Sequence, residues 1–304
     1  MERRKFIKNI GLSVGTLMLT PNLFGQTQSK KQLKKITILH TNDTHSNIDS
    51  FPSNHPLYPN QGGVSKRFEL IQKIRNEEEN VILLDAGDVF QGTPYFNLFG
   101  GVLEMKMMTE LGYDVATLGN HDFDIGVEGF IKAQKYANFP FVNANYNFTN
   151  SKLKNQIKPY SIIQKGNVKI GVFGIGIELN GLVPIANFEG VVYQDPILIA
   201  NQIAKELKNQ KCDLIICLSH LGFEYPTDKI SDKILAKETE NIDVIIGGHT
   251  HTVLEKPFLT QNKNQENVII NQVGWAGLFL GRIDVEIHQE HKLFKNSKNK
   301  LEII

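Results

Sequence analysis

Apolar runs with the length of a strand alternate with stretches of helical spacing along most of the chain. The runs of strand length are residues 35–43, 81–84, 113–118, 141–144, 168–175, 213–218, 243–246, 268–273 and 278–288. Apolar residues at helical spacing predict a helix that begins after Gly63 and further helices over residues 102–111, 127–137 and 196–209. Strands that alternate with helices predict an α/β protein in which helices cover the sheets.

Polar side chains with metal-ligand chemistry follow five of these apolar strands, at the point where each strand ends. They are Asp43 and His45, Asp88, Asn120 and His121, His220, and His249 and His251. Because ligands of α/β sheets bind beyond the carboxyl ends of the strands, we expect these side chains to meet at one site. Carboxylate oxygens and neutral imidazoles bind Zn²⁺, Mn²⁺ or Fe, and no cysteine is offered at these strand ends. The donors are too many for one ion and sufficient for two ions that share a carboxylate.

Each of these motifs also has a plain structural explanation when it is taken alone. The hexapeptide Gly-Asn-His-Asp-Phe-Asp at residues 119–124 has the composition of a polar turn, in which Asn and Asp bond to nearby backbone groups. Asp43-Thr44-His45 is equally typical of a surface turn. Five such motifs, in order and all at strand ends, favour the metal site over coincidence.

Composition and charge narrow the class of protein further. The chain has 304 residues, of which 41% are hydrophobic, enough for one large domain or two small ones. The formal net charge of +1 gives no bulk electrostatic reason to expect a nucleic acid or a polybasic membrane anchor. Cys212 and Cys217 lie five residues apart on a predicted strand and point to opposite faces, so they are predicted to be free, packed thiols.

The first 25 residues have the layout of an export signal. Arg3-Arg4 and neighbouring charges precede a short apolar run from Ile10 to Leu19, and Arg-Arg-Lys-Phe-Ile-Lys resembles a bacterial twin-arginine signal. The run is about half the ~20 residues that span a bilayer, so no stable membrane anchor is expected. The alternative is a basic amphipathic helix that stays in place. Export predicts a periplasmic or extracellular protein in a bacterium.

The motifs together resemble the calcineurin-like metallophosphoesterases, and more closely the metallophosphatase domain of the 5′-nucleotidase family. The resemblance rests on five blocks in order, which are Ile36–Ile48, Gly87-Asp88 with Gly92, the hexapeptide 119–124, His220, and Gly248–His251. It covers about residues 35–290 and implies a single domain built as a four-layer sandwich. In that fold two mixed β-sheets lie face to face and are flanked by helices.

The resemblance also implies a role for each residue of the predicted site. One divalent metal ion (Mn, Zn, Fe or Co) would be held by Asp43, His45, Asp88 and His251. The second would be held by Asp88, Asn120, His220 and His249, with Asp88 as the bridge. His121 and Asp124 would form a catalytic pair, and Asn120 and His121 would also contact the substrate. The implied reaction is hydrolysis of a phosphate ester, a nucleotide in the first place, by a metal-bridging hydroxide. Asp122 stands where the family often has Glu.

The C-terminal part of the sequence does not identify the substrate. Residues 291–304 are predicted to be a polar tail, and no C-terminal nucleoside-binding domain is expected. The alternatives are a looser phosphomonoesterase, a nucleotidase completed by a separate protein that supplies the nucleoside-binding domain, or a relative with another substrate. Such relatives include cyclic-nucleotide phosphodiesterases, UDP-sugar hydrolases and dimanganese sulfur-oxidation hydrolases. A non-catalytic metal-binding subunit would belong to a different class, but neither a ligand nor the His-Asp pair is lost here.

Overall fold

The computed structural model describes residues 34–287, 292–294 and 300–304. Its strands are β1 (Lys34–Thr41), β2 (Val81–Asp85), β3 (Val115–Thr117), β4 (Phe141–Val142), β5 (Tyr146–Asn147), β6 (Tyr160–Lys165), β7 (Val168–Ile175), β8 (Val192–Tyr193), β9 (Leu214–Ser219), β10 (Val244–Gly247), β11 (Phe258–Gln261), β12 (Asn267–Asn271), β13 (Phe279–Ile287), β14 (Lys292–Phe294) and β15 (Lys300–Ile303). Its helices are α1 (Val64–Glu77), α2 (Pro94–Phe99), α3 (Val102–Leu111), α4 (Gly126–Gln134), α5 (Pro196–Asn209) and α6 (Asp232–Glu238). The predicted export signal lies outside the described residues.

Two large mixed sheets make up most of this part of the chain. The first has the order β14-β13-β1-β2-β3-β4, with β15 also paired to β13. The second has the order β11-β12-β10-β9-β7-β6, and β5 pairs with β8 in a small separate ribbon. Strands β1 to β4 run parallel, as do β7, β9, β10 and β12, whereas β13, β6 and β11 pair antiparallel with their neighbours.

The core has three apolar layers, which confirms the predicted four-layer sandwich. The central layer joins Ile38 and Ile82 of the first sheet to Ile216 and Ile246 of the second. A second layer packs α1, α3 and α4 on the outer face of the first sheet, and a third packs α5 and α6 on the second sheet. Two sheets that each bury both faces explain why the strands are continuous apolar runs in the sequence.

The two sheets approach closely at Gly174 of β7. A β-carbon at this position would overlap the Thr117 hydroxyl and the Val142 carbonyl of the first sheet. Glycine is therefore needed here for close packing. The Cys212 and Cys217 side chains are buried and are not joined in a disulfide, as expected. Among the described residues, no helix combines the length and the apolar character that a membrane crossing requires.

Helix α5 begins and ends at the predicted residues because its start is strongly encoded. The Asp195 side chain accepts a hydrogen bond from the Leu198 N–H at 2.8 Å, and Pro196 occupies the first turn. An N-cap aspartate followed by proline satisfies one free N–H and removes another. The other predicted helices and strands also form, with ends shifted by a few residues.

Several elements differ from the sequence predictions. The aromatic stretch after residue 93, where no helix is predicted, forms α2, which starts at Pro94 and stops at Gly100 in the left-handed conformation. In α1, Phe68 faces solvent at 42% exposure while Arg67 is buried, although the helix is predicted from buried apolar residues. Helix α6 and the edge strands β6 and β11 were not predicted.

The expected polar tail is the clearest correction. Strands β14 and β15 both pair with β13 of the first sheet. Ile304 is buried, its N–H donates to the Leu278 carbonyl at 3.0 Å, and its carbonyl accepts from the Gly62 N–H at 2.7 Å. The few apolar residues of this polar stretch gave no periodic signal, because backbone pairing to a preformed strand requires none.

Candidate metal centre

The strand ends deliver the predicted ligands to one place, and they do so from both sheets. Strands β1, β2 and β3 of the first sheet lead to Asp43 and His45, Asp88, and Asn120, while β9 and β10 of the second lead to His220, His249 and His251. Six of these side chains form two groups that could hold a metal ion. The groups are Asp43, His45 and His251, and Asp88, His220 and His249; within each group the ligand atoms lie within 4.8 Å of one another.

In the first group, ring nitrogens and carboxylate oxygens face a common point. The Nε2 atoms of His45 and His251 are 3.1 Å apart. Oδ1 of Asp43 lies 3.9 Å from the His45 Nε2 and 3.5 Å from the His251 Nε2. These separations are those of atoms that could bind the same ion, since metal–nitrogen bonds of ~2.0–2.1 Å keep neighbouring donors about 3 Å apart.

In the second group, Asp88 is closest to His220, with 3.0 Å between Oδ2 and Nε2. Asn120 joins through its amide oxygen, which lies 2.8 Å from Nδ1 of His249. The same Asp88 oxygen is 3.9 Å from the His45 Nε2 of the first group. Asp88 therefore lies between the two groups, within reach of both.

The backbone of the ligand loops is held in an unusual conformation. Asp43, His45, Asp88, His249 and His251 all have positive φ angles, between 46° and 73°. Non-glycine residues rarely adopt this left-handed region, and it persists only where the surrounding structure enforces it. Gly119 and Gly248 make the loops compact, because a β-carbon on Gly119 would overlap the Asp88 carboxylate and one on Gly248 would lie 2.8 Å from Nδ1 of His220.

The donor chemistry of the cluster fits divalent cations. Nδ1 of His45 lies 3.1 Å from the Phe90 carbonyl and Nδ1 of His220 lies 2.7 Å from the Ala86 carbonyl, so Nδ1–H donates in both rings and Nε2 faces the cluster. The His220 Nε2 atom is buried and makes no well-aligned hydrogen bond. A buried ring nitrogen beside a carboxylate and without a well-aligned partner is costly unless positive charge, from a proton or a metal ion, lies at that point. The residues therefore fit metal ions.

Burial and neighbouring charges shift the pKa values of the candidate ligands. Burial alone would raise the pKa of the Asp88 carboxyl, but the imidazoles of His220 and His45 hold it well below the usual range. Burial, followed by the neighbouring His220, lowers the pKa of His249 to about 4, which leaves that ring neutral. Burial would lower the pKa of His220, but the Asp88 carboxylate at 3.0 Å raises it to about 10, so this ring carries a proton that a metal ion would displace. The ionised Asp88 and the neutral His249 are already in the protonation states that metal binding requires.

His121 and Asp124 lie beside the two groups, at the rim. The His121 Nδ1 is 2.7 Å from Oδ2 of Asp124, and the His121 backbone N–H donates to Oδ1 of Asp88 at 2.8 Å. The bond to Asp124 raises the pKa of His121 against the opposing effect of partial burial. Its side chain is 35% exposed and its ring meets the His45 ring edge-on at 5.2 Å. The pair thus borders both the cluster and solvent.

Asp122 is the main contributor that the sequence left without a specific role. Its buried carboxylate accepts four backbone N–H groups, from Gly119, Asp88, Val89 and Phe90, at 2.8 to 3.3 Å. It therefore ties the loop that carries Asp88 to the turn that carries Asn120 and His121. The sequence signal was only the presence of a second carboxylate in the hexapeptide, since backbone partners leave no pattern in side chains.

Asn42 supports the cluster in a similar way. Its amide nitrogen donates to Oδ2 of Asp43 at 2.6 Å and to the Gly274 carbonyl at 2.7 Å, while its oxygen accepts from the Val273 N–H at 2.9 Å. This side chain orients the Asp43 carboxylate against the loop that follows β12. The sequence placed it in the strand-end motif without a function.

Comparison with known proteins gives consistent matches. The family described as calcineurin-like phosphoesterase matches residues 36–253. Human 5′-nucleotidase is 32% identical over 289 residues, which cover 87% of this chain and 49% of that protein. The chain therefore spans about half the length of this curated relative.

Two solved structures have a similar fold. The crystal structure of a 5′-nucleotidase precursor from Thermus thermophilus aligns with a TM-score of 0.81 and 29% identity, over 89% of this chain and 55% of that one. The calcineurin-like phosphoesterase YfkN from Bacillus subtilis aligns with a TM-score of 0.70 and 27% identity, over 90% of this chain and 91% of that one.

Proposed function

The chain belongs to the calcineurin-like phosphoesterase family, whose members are metal-dependent phosphoric ester hydrolases, and from this premise we propose that it hydrolyses the phosphate esters of nucleotides. The observation that carries the proposal is the convergence of two metal-binding groups around Asp88. The similarity to human 5′-nucleotidase supports a nucleotide as the substrate.

Two divalent cations would be held by the side chains that the strand ends deliver. Asp43, His45, Asp88 and His251 would bind one, and Asp88, Asn120, His220 and His249 the other. Bound there, the ions would supply Lewis acidity, lower the pKa of coordinated water and neutralise charge on the phosphoryl oxygens. The Asn42 and Asp122 hydrogen bonds keep Asp43 and Asp88 in place, so little reorganisation is needed when the substrate arrives.

His121 acts as the general acid for the leaving group. Its Nδ1–H donates to Asp124, which fixes the ring and stabilises the imidazolium form through the raised pKa. Protonated at Nε2, it donates that proton to the alkoxide oxygen as the phosphorus–oxygen bond breaks, and the alcohol product departs neutral. Asn120 and His121 together contact the phosphoryl group from the turn that Asp122 braces.

A substrate panel tests the proposed function. Purified protein loaded with Mn²⁺, Zn²⁺ or Co²⁺ is assayed on nucleoside monophosphates, cyclic nucleotides, UDP-sugars and p-nitrophenyl phosphate. We expect release of inorganic phosphate from nucleoside monophosphates. Faster hydrolysis of cyclic nucleotides or UDP-sugars than of nucleoside monophosphates would contradict the proposed substrate. Bound metal without hydrolysis of any of these compounds would indicate a non-catalytic subunit.

Variants separate the metal ligands from the general acid. We expect Asp88→Asn to abolish both metal binding and hydrolysis. His121→Ala should keep two metal ions per chain but lower kcat about 10²–10⁴-fold, the usual contribution of a general acid. Glu206→Gln, on the exposed face of α5, is the matched control and should leave both quantities unchanged. Full activity of metal-loaded His121→Ala would contradict the role of His121 as the general acid.

Export by a twin-arginine route is part of the same proposal. It is supported by Arg3-Arg4 and the short apolar run that follows them. Expression in a bacterium with a functional twin-arginine system should yield periplasmic protein with a shortened amino terminus. Replacing both arginines with lysine should retain the protein in the cytoplasm; unchanged export of that variant would contradict this route.

A further inference from the structure

Residues 51–61 form a compact loop next to the metal centre, and hydrogen bonds join its two ends. The Phe51 N–H donates to the Gln61 carbonyl at 2.8 Å, the Asn60 N–H to the Phe51 carbonyl at 3.1 Å, and the Ser50 hydroxyl to the Gly62 carbonyl at 2.7 Å. Inside the loop, the Phe51 ring lies 4.5 Å from the His55 ring. Closed loops of this length that are packed by their own side chains are compact surface features and are frequently functional.

Trp275 connects this loop to the candidate ligand His251. The Phe51 ring meets the indole at 6.0 Å and 67°, so it supports Trp275 edge-on. The indole and the His251 ring are nearly parallel, with 6.0 Å between centroids and 11° between planes. The next residue is also tied to the centre, because the Ala276 N–H donates to the Asp43 carbonyl at 2.8 Å. Trp275 is thereby fixed relative to the ligands of the first group.

The indole is nonetheless open to solvent. Trp275 is 36% exposed, and the side chain of its neighbour His251 is 41% exposed. A large aromatic ring that is held rigidly, supported from one side and left exposed at the edge of a charged centre is suited to bind a second planar ring. Stacking is favourable because every nucleobase presents a π face, whatever its hydrogen-bonding edge.

We propose that Trp275, supported by Phe51, is a stacking platform for the base of the nucleotide whose phosphate is held at the metal centre. This inference rests on the proposed function and assigns a base-binding subsite to this chain's own residues. It also predicts weak discrimination among bases, because the platform offers a ring face and no hydrogen-bonding edge. Binding energy from this part of the substrate acts on KM more than on kcat.

Two substrates that differ only in the base test the platform. Adenosine 5′-monophosphate and ribose 5-phosphate are assayed with the parent protein, Trp275→Ala, Trp275→Phe and the control Tyr136→Ala. Tyr136 is an exposed aromatic that follows α4 and whose ring is covered by the Lys106 ammonium. We expect Trp275→Ala to lower kcat/KM for adenosine 5′-monophosphate about 5- to 100-fold. For ribose 5-phosphate, both kcat and kcat/KM of this variant should stay within about twofold of the parent values. Trp275→Phe should recover most of the loss.

Fluorescence gives a second readout that needs no turnover. Trp275 is the single tryptophan of the chain, so intrinsic tryptophan emission reports this ring alone. Titration with adenosine should quench the emission and reach saturation, whereas ribose should leave it unchanged. An emission that does not respond to adenosine would overturn the platform.

The kinetic outcomes distinguish this inference from the proposed function. Equal loss with both substrates would mean that Trp275 only positions His251, and no loss with either would mean that the indole does not touch the substrate; each result overturns the stacking role while leaving phosphoesterase activity intact. Failure of the parent protein to hydrolyse either ester would instead contradict the proposed function, and the adenosine titration would still decide whether the base binds.

Discussion

At the scale of single residues, the centre depends on groups that bind no metal themselves. Asp122 accepts the backbone N–H groups of Asp88 and Gly119, and so joins two ligand loops through one carboxylate. A carboxylate suits this position because it only accepts hydrogen bonds and offers several lone pairs. Asp122 reaches these N–H groups because the hexapeptide turn packs directly on the Asp88 loop.

Replacing Asp122 with asparagine should therefore loosen the Asp88 loop. The amide keeps the size of the side chain, but its NH₂ group would face backbone N–H groups. Both are hydrogen-bond donors, so no hydrogen bond can form between them. We expect Asp122→Asn to weaken metal binding and lower activity about 10- to 100-fold, the usual cost of losing an outer partner of a ligand. Calorimetric titration with Mn²⁺ measures the affinity.

The control for this experiment is Asp49→Asn. Asp49 is an exposed carboxylate that accepts a hydrogen bond from the Tyr95 hydroxyl, so its replacement should leave metal affinity near that of the parent. Parental affinity in Asp122→Asn as well would show that the Asp88 loop holds its shape without this carboxylate.

At the scale of the elements, the distance between the two sheets is set by the absence of a side chain. Gly174 of β7 leaves no room for a methyl group between itself and the Thr117 and Val142 atoms of the first sheet. Gly171 of the same strand faces the other way, where the obstacle is the flexible Leu207 side chain. The sequence showed both glycines but not which one contacts backbone.

Gly174→Ala should consequently separate the sheets. Backbone atoms cannot yield as a side-chain tip can, so we expect a loss of about 1–3 kcal/mol in the free energy of unfolding. Gly171→Ala, which meets a side chain that can shift, is the matched control and should cost less. Urea unfolding of both variants provides the comparison, and an equal loss in the two would argue against backbone overlap as the cause.

His40 is a second link between the sheets, and it makes folding sensitive to acid. Its Nε2 on β1 accepts from the Asn271 amide of β12 at 2.9 Å. Complete burial lowers the pKa of His40 from 6.5 to about 3. Between these values the unfolded chain binds a proton at His40 that the folded chain does not. This contribution to stability is thus fully present above pH 6.5 and is lost as the pH falls toward 3.

We expect unfolding measured at about pH 7 and about pH 5 to reveal this contribution. The parent should lose up to about 1.4 kcal/mol more per pH unit than His40→Asn, which has no group to titrate at this position. Both proteins are compared after chelation of metal, so that the remaining histidines contribute equally and cancel. Identical pH dependence would show that His40 does not titrate on unfolding.

At the scale of the whole molecule, the centre lies where the carboxyl ends of both sheets meet. Its ligands come from β1, β2 and β3 on one side and from β9 and β10 on the other. A cation bound between them therefore cross-links the two halves of the sandwich. Because such a site is absent from the unfolded chain, the free energy of metal binding adds to the free energy of folding.

Removal of metal should lower the thermal midpoint of the entire domain. We expect chelation to cost about 2.7 kcal/mol relative to protein with free cation at about 100 times its dissociation constant, and re-addition to restore the midpoint. Asp88→Asn, which lacks the shared carboxylate, serves as the control and should not respond to added cation. A midpoint that is the same with and without chelator in the parent would contradict a structural contribution from the centre.

The sequence by itself determined the alternation of elements, the four-layer family fold and the chemistry gathered at the strand ends. These features are local, since strands buried on both faces are apolar along their length and a metal site needs side chains with carboxylate, amide or imidazole donors. The turn at Gly119–Asp124 could be recognised for this reason, and the sequence assigned Asn120 to a metal ion and His121 with Asp124 to catalysis.

Only the tertiary structure decided how distant segments meet. It showed that the ligands come from two sheets, that Asp122 binds backbone groups, that Trp275 lies parallel to His251, and that β15 pairs with β13. None of these has a sequence pattern, because a backbone N–H, a ring face and a strand edge are offered by almost any residue. Which of them are used depends on the packing of residues far apart in the chain.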